Sequence, residues 1–346
     1  VMRHYVQMTR KKRILIVLCL IFAVTLFIPT PYYLFQPGSV EELSSKVTVE
    51  AGEKTEQGHL YLTTVLSVKA SNIYYLAYGL LAPHTDIQRS HVVKGDMSEK
   101  EYNRWLTYLM KSSQENAITA GLKAAGEKVE IIPEGMIVRN FSKTSKAKGI
   151  IEAGDIIFEV DGRSVVTTEE LLGYFKEKKA GDSVRVVFTR DGEKKEEQVE
   201  LIPLPGKKSQ PGIGIGLEEY VEVKSDKKVN IQAGDIGGPS AGLMFSLEIY
   251  RQLAGEDVTK GYEIAGTGTI DKDGNVGQIG GIAEKIAAVD KAGMDIFFCP
   301  KDIHPDDTNE KEVKAEVEKY GYDVKIVPVK TLEEAVNYLD KLPPKP

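Results

Sequence analysis

Fifteen nearly unbroken apolar residues, "ILIVLCLIFAVTLFI" at 14–28, follow four consecutive basic residues, "RKKR" at 10–13. A run of this kind has to end in a core or in lipid. It falls short of the roughly 17 residues that a membrane span usually needs. Pro29 and Thr30, with Tyr32 and Tyr33 at the interface and Arg13 snorkelling at the other end, bring it into range. The bulky "PTPYYLFQ" next in the chain offers no small-x-small cleavage site. The segment 14–35 therefore reads as an uncleaved transmembrane anchor rather than a signal peptide. The charge ahead of it makes residues 1–13 a cytoplasmic basic tail and puts everything after 35 outside the cell. The expected location is the cell membrane, in single-pass form.

The rest of the chain has the composition of globular domains. The full chain, 346 residues at 42% hydrophobic and 28% charged, suggests two or three of them. A net charge of -6 argues against nucleic acid as a partner. Two cysteines, Cys19 and Cys299, supply neither a disulfide framework nor a metal site, and no histidines stand at H-x-x-x-H spacing. "GIGIG" at 212–216 lacks phosphate-loop spacing, and no G-x-x-x-x-G-K-[ST] occurs in the chain. No metal, cofactor or ATP engine is expected.

"KVTVE" and "GHLYLTTVLSVK" read as strands, and 98–125 reads as a helix with Trp105, Leu109 and Met110 on its core face. From about 129 to 205 the pattern changes. "GMIVRNF" is a strand, "AGDIIFEVDG" a strand ending in an Asp-Gly turn, and "TTEELLGYFKEKK" a helix with Thr167 and Glu170 at capping-box spacing. Two strands come next around Asp191-Gly192, and then "PLPGKKSQPG", which reads as a hinge. "AGDIIFEVDG" resembles the core of a PDZ domain. Domains of that family bind an extended peptide at a sheet edge beside a helix. The resemblance makes Gly135, Met136, Ile137 and Val138 the expected receiving strand, facing the Leu171–Phe175 side of the helix. The alternative is that Met136 and Val138 are core residues.

"GGPSAGLMFSLEIY" at 237–250 sets Ser240 after Gly-Gly-Pro at the head of an apolar stretch. Proline fits the first helical position, so a helix is expected to begin at Pro239 with Ser240 in its first turn. The free N–H groups and dipole of a helix N-terminus suit an oxyanion there. The alternative, and the commoner role for a serine at this place, is that Ser240 caps the helix. A nucleophilic serine needs a base. In "QIGGIAEKIAAVDKAG", Lys285 falls on the apolar stripe formed by Ile282, Ile286 and Val289. An ordinary lysine, with a pKa of about 10.4, is almost wholly protonated at neutral pH. Burial that lowers this by about three units would make it a usable base.

"GPSAG", the lysine in "IGGIAEKIAAVDKAG", and the intervening "GTGTIDKDGNVGQIGG" together resemble the proteolytic domain of Lon-type peptidases. The resemblance runs on through "GMDIFFCPKD" to "DVKIVPVKTLEEAVNYL". It implies Ser240 as nucleophile, Lys285 as general base and Thr267 as the hydroxyl that supports the lysine. The acidic residue those enzymes carry three before the serine is Gly237 here, with Asp235 two residues earlier. Rings are common among Lon domains, so a homo-oligomer stays open.

The expected architecture is α+β: a transmembrane helix, then a PDZ domain at 129–205 placed before or within a Lon-type proteolytic domain at 213–342. The α/β segment at 41–128 is expected to pack on the proteolytic domain. The expected function is a membrane-anchored, ATP-independent serine endopeptidase. Its catalytic part is extracellular, its substrates are secreted or membrane-associated peptides and proteins, and the PDZ unit assists recognition. The alternative is an inactive, membrane-tethered peptide-binding scaffold. His304, in "PKDIHPDD", is a weak candidate for a histidine-based hydrolase.

Overall fold

A computed structural model describes residues 9–54, 57–204 and 207–345, so the first eight residues of the expected basic tail lie outside it. The apolar run forms helix α1 (Arg10–Thr25), with Thr9 at its N-cap and no buried residue. Its 16 residues rise about 24 Å, against a hydrocarbon core of about 30 Å. Among the described residues no helix is long and apolar enough to cross a membrane. The residues just beyond the helix correct the expected span to residue 35. Thr30 is buried and its hydroxyl donates to the Ala70 carbonyl. Tyr33 is buried too and donates to Glu99 at 2.6 Å. These residues enter a strand whose backbone is satisfied by neighbouring strands, so they belong to the folded body.

That body begins with β1 (Tyr32–Glu42), β2 (Val47–Val49) and β3 (His59–Lys69). Then come α2 (Ile73–Leu81), β4 (Asp86–Arg89), the short α3 (Ser90–Lys94) and the long α4 (Glu99–Ala124). A capping box of Ser98 and Glu101 starts α4. Trp105 and Met110 are buried along it.

The chain then leaves on β5 (Val129–Phe141) and builds a second unit. It comprises β6 (Ile156–Val160), β7 (Arg163–Ser164), α5 (Thr168–Phe175), β8 (Ser183–Arg190), β9 (Glu193–Glu200), β10 (Ile202–Leu204), β11 (Lys207–Gly212) and β12 (Ile215–Ser225). The sheet order is β12-β5-β6-β8-β9. One expectation changes here. The segment read as a hinge forms the β10–β11 hairpin. Strand β12, assigned to the proteolytic domain by the boundary at 213, pairs along β5 from Phe141 opposite Ile215 to Val129 opposite Ser225. The link between the units is thus a two-stranded ribbon, stiffer than a Pro/Gly hinge.

The chain returns through β13 (Val229–Ile231), which pairs with β2, and continues with α6 (Gly242–Leu253), β14 (Glu263–Gly266), β15 (Thr269–Ile270) and β16 (Val276–Gly277). It ends with α7 (Ile282–Lys291), β17 (Ile296–Pro300), α8 (Asn309–Tyr320), β18 (Lys325–Val329) and α9 (Leu332–Asp340). The main sheet runs β18-β17-β14-β3-β1-β4. It is parallel from β18 to β3 and antiparallel from β3 to β4, so the body is mixed α/β. The unit at 129–225 is inserted within it.

Strand alternation divides the body's core in two. Ile264 and Phe298 join α6 and α9 on one face, while Ala265, Phe297 and Cys299 join α7 and α8 on the other. The inserted unit rests on α4 through Trp105, Tyr108 and Ile137. Arg104 reinforces that contact, donating to Asp191 at 3.0 Å, to Glu152 at 3.2 Å and to the Ala153 carbonyl at 3.0 Å.

Candidate active site

Helices α6 and α7 lie on opposite faces of the main sheet, and their residues can meet only where the sheet opens. It opens at Gly266, where β14 stops while β3 continues to Lys69. Open parallel sheets place their clefts at such carboxyl ends. Ser240 comes from the α6 side and Lys285 from the α7 side.

The helix after Ser240 starts three residues later than expected, at Gly242. Gly238 (φ +86) and Pro239 form a bend and Ser240 and Ala241 a turn, so Ser240 stands just ahead of the helix. It does not cap it: the N-cap is Ala241, which makes no side-chain capping bond. Two partners fix the Ser240 carbonyl, the Gly268 N–H at 2.9 Å and the Thr267 hydroxyl at 3.0 Å. From the other side α4 holds the turn. The Gly238 N–H donates to the Leu106 carbonyl at 3.2 Å, and the Ser113 hydroxyl to the Pro239 carbonyl at 3.0 Å. Gly242 has to be glycine, because a Cβ there would sit 2.7 Å from the Ile270 side chain and 3.0 Å from Ser113 Oγ.

The Lys285 side chain runs into this space and is 2% exposed. Its Nζ reaches the Thr63 carbonyl at 2.7 Å, Ser240 Oγ at 3.0 Å and Thr267 Oγ1 at 3.1 Å. Among the described residues no carboxylate pairs with it, and burial alone brings its pKa from 10.5 down to about 7. The three contacts differ in kind. A carbonyl can only accept, so Thr63 takes an N–H. Thr267 has committed its own proton to the Ser240 carbonyl, so it too takes an N–H. A neutral amine has two N–H bonds and one lone pair. With both N–H bonds engaged, the lone pair is left for the Ser240 hydroxyl.

Ser240, Thr267 and Lys285 are therefore together. Thr63 was not anticipated: a backbone carbonyl leaves no signature in a sequence, and this one lies more than 200 residues from the lysine. Its strand forms one wall of a cleft of about 760 Å³, with Thr64, Val65 and Leu66. The loop from Ala233 to Gly238 lines the same cleft. Asp235 is exposed on that loop and bonds to neither Ser240 nor Lys285. His304 lies elsewhere, in a surface loop tied to Asp307.

The expected peptide strand of the inserted unit is corrected. Gly135, Met136, Ile137 and Val138 lie on β5, which is hydrogen-bonded to β12 on one edge and to β6 on the other. Met136 and Val138 are fully buried among Leu171 and Phe175, so they are core residues. The open edge is that of β12, which ends the sheet. Leu171, Leu172 and Phe175 of α5 face Ile213, Ile215 and Leu217 across a groove of about 210 Å³. The "GIGIG" segment, unremarkable as a phosphate loop, thus forms a wall of the groove. Its alternation of glycine with isoleucine was the available signal.

Comparison with known proteins agrees with both halves. The PDZ domain profile matches residues 113–201, and the profile of the Lon protease (S16) C-terminal proteolytic domain matches residues 214–340. The chain is 31% identical over 125 residues to the Lon protease of Brevibacillus choshinensis, covering 36% of this chain and 15% of that protein. It is 35% identical over 118 residues to the Lon protease of Trichlorobacter lovleyi, covering 33% of this chain and 14% of that protein. This chain thus spans about one seventh of the length of these relatives. Among solved structures, the PDZ domain of an SdrC-like protein from Listeria innocua is 34% identical. That match covers 25% of this chain and 96% of the other, with a TM-score of 0.23. A Lon-type proteolytic domain and a PDZ domain are present in the chain, and the first supports a serine peptidase.

Proposed function

We propose that the chain is an ATP-independent serine endopeptidase in which Ser240 is the nucleophile and Lys285 its general base. The observation that carries this reading is the buried amine, whose two fixed acceptors turn its lone pair toward Ser240 Oγ. In the first half-reaction the Ser240 proton passes to Lys285 as Oγ bonds to the substrate carbonyl carbon. The Ser240 and Ala241 amides, which donate to no backbone carbonyl among the described residues, are the candidate oxyanion donors. Collapse breaks the C–N bond, and Lys285 returns the proton to the leaving amine. Water, deprotonated by the neutral lysine, then hydrolyses the acyl-enzyme ester.

The substrate backbone would lie along β3. Past Leu62 the edge that faces the cleft has no strand partner among the described residues. An extended peptide can add there by main-chain hydrogen bonds. The PDZ groove between α5 and β12 would take a second stretch of peptide. The same reading gives α1 the part of a tether to the cell membrane, with the peptidase on the extracellular side.

The test is incubation of the full chain with unstructured peptides and mass spectrometry of the products, beside Ser240→Ala. The wild-type chain should cut, and the variant, folded by circular dichroism, should not. Equal cutting by both would remove Ser240 from the chemistry. No cutting by either would leave a peptide-binding scaffold.

A further inference from the structure

Helix α2, "IYYLAYGLL", has no charged residue and no amide side chain. Gly79 lets one face sit directly on Leu34 of β1: a Cβ there would meet the Leu34 side chain at 2.5 Å. The opposite face is as apolar as the packed one, yet it is open to solvent. Tyr78 is 53% exposed, Leu80 73% and Leu81 87%, with Ile73 and Tyr74 also exposed. Helices on globular surfaces ordinarily turn polar residues outward. The patch continues into α1 through the Phe22–Tyr74 ring contact at 4.8 Å and the Thr25–Tyr74 hydroxyl pair at 2.6 Å.

The character of α1 identifies what covers this surface. It is apolar on every side from Ile14 to Val24, and a protein partner would cover only one side. An apolar medium covers all of them. Arg10, Lys11, Lys12 and Arg13 at its head complement anionic headgroups. The tyrosines of α2 suit the boundary where one end of a side chain is wet and the other apolar. We propose that the exposed face of α2 lies in the headgroup–acyl boundary of a bilayer beside α1, so that the Ser240 cleft works at a membrane surface. The connection to the cleft is direct. Leu66, 51% exposed, lines the cleft on β3, and that strand runs through Lys69 to the Asn72 cap of α2. The favoured substrates are then polypeptide segments that emerge from or lie on the bilayer.

This inference rests on the reading of α1 as a tether, and the experiment separates the two. In the full chain carrying Cys19→Ala, Leu81→Cys is labelled with an environment-sensitive fluorophore. Ile303→Cys, on an exposed loop of the protease body, serves as control. The remaining native cysteine, Cys299, is buried. On addition of phosphatidylglycerol–phosphatidylcholine vesicles, the label at 81 should shift to the blue and be quenched by shallow lipid-borne quenchers. The label at 303 should not change. If the chain floats with the vesicles but the two labels behave alike, the α2 inference falls and the tether stands. If the chain does not float, both fall. A blue shift without vesicles that grows with protein concentration would assign the face to a second copy and overturn the proposal. The labels report whether or not the chain cuts peptides, so failure of the peptidase reading is seen separately. Leu80→Glu combined with Leu81→Glu should leave turnover of a soluble peptide unchanged. It should lower turnover of a vesicle-tethered peptide by about fivefold. Equal turnover of the tethered peptide by the variant and the wild-type chain would overturn the proposal.

Discussion

An open strand edge flanks each of two grooves among the described residues, one along β3 past Leu62 and one along β12 beside α5. Both present unpaired backbone donors and acceptors next to a groove. They differ in what lies behind the edge. Behind β12 the helix presents mainly apolar side chains, Leu171, Leu172 and Phe175. Behind β3 lies an amine that has lost its water, with Thr63 and Thr267 orienting it. Recognition of a backbone asks only for an edge and an apolar wall. Cutting it also asks for a base, and a lysine becomes one only when it is desolvated. The same β-augmentation geometry thus serves binding in one unit and chemistry in the other.

The largest expected effect breaks this contrast. Lys285→Ala should cost about 10²–10⁴ in turnover, the range of a general base. Lys285→Arg should fail as badly, because a guanidinium stays protonated. Neither should alter peptide binding at the β12 groove, measured by fluorescence anisotropy. Turnover of the wild-type chain should rise with pH through about 7 and then level, as the neutral amine forms. Stability depends on the same group. The unfolded chain keeps this proton up to 10.5, and the folded chain releases it near 7. Between those values the unfolded state binds more protons, so stability to urea should rise with pH across that window. The Lys285→Met chain should lose this slope.

A smaller effect is expected at Thr267. Thr267→Ala removes the acceptor for Lys285 and the donor to the Ser240 carbonyl, together worth about 1–3 kcal/mol. That corresponds to a fall in kcat of about 5–150-fold with little change in KM. On the other side of the comparison, Leu172→Glu places a charge in the apolar groove. It should weaken peptide binding there by about tenfold while leaving turnover of short peptides intact. Equal losses on short and groove-binding peptides would mean that the two edges are not independent. The smallest effect belongs to Ser113→Ala on α4, which frees the Pro239 carbonyl. The loss of one such bond, about 0.5–1.5 kcal/mol, should lower kcat by about two- to tenfold.

Much of this was legible in the chain itself. The capping box of Thr167 and Glu170 and the turn at Asp191-Gly192 mark a helix and a hairpin where they occur. Lys285 on the stripe of Ile282, Ile286 and Val289 announces a buried amine, because helical periodicity is a local property. Ser240 drew notice through its glycine- and proline-rich approach. Two of the misreadings share one cause. Whether Tyr33 meets lipid or a sheet, and whether Gly135–Val138 is an edge or a centre, depends on pairing with strands far along the chain. Pairing partners are not encoded in a strand's own alternation.

The sequence by itself determined the residue types the chemistry needs and the helix faces that carry them. It also determined the unbroken apolar character of the run at 14–28. Only the tertiary structure decided that Ser240 and Lys285 meet, because they approach from opposite faces of a sheet and β14 must stop at Gly266 for them to do so. It alone decided that Thr63, from the far N-terminal part of the body, completes the amine's set of acceptors. It likewise left β12 rather than β5 open beside α5. Each of these depends on long-range backbone pairing, where the energy of a contact is set by what the rest of the fold places opposite it.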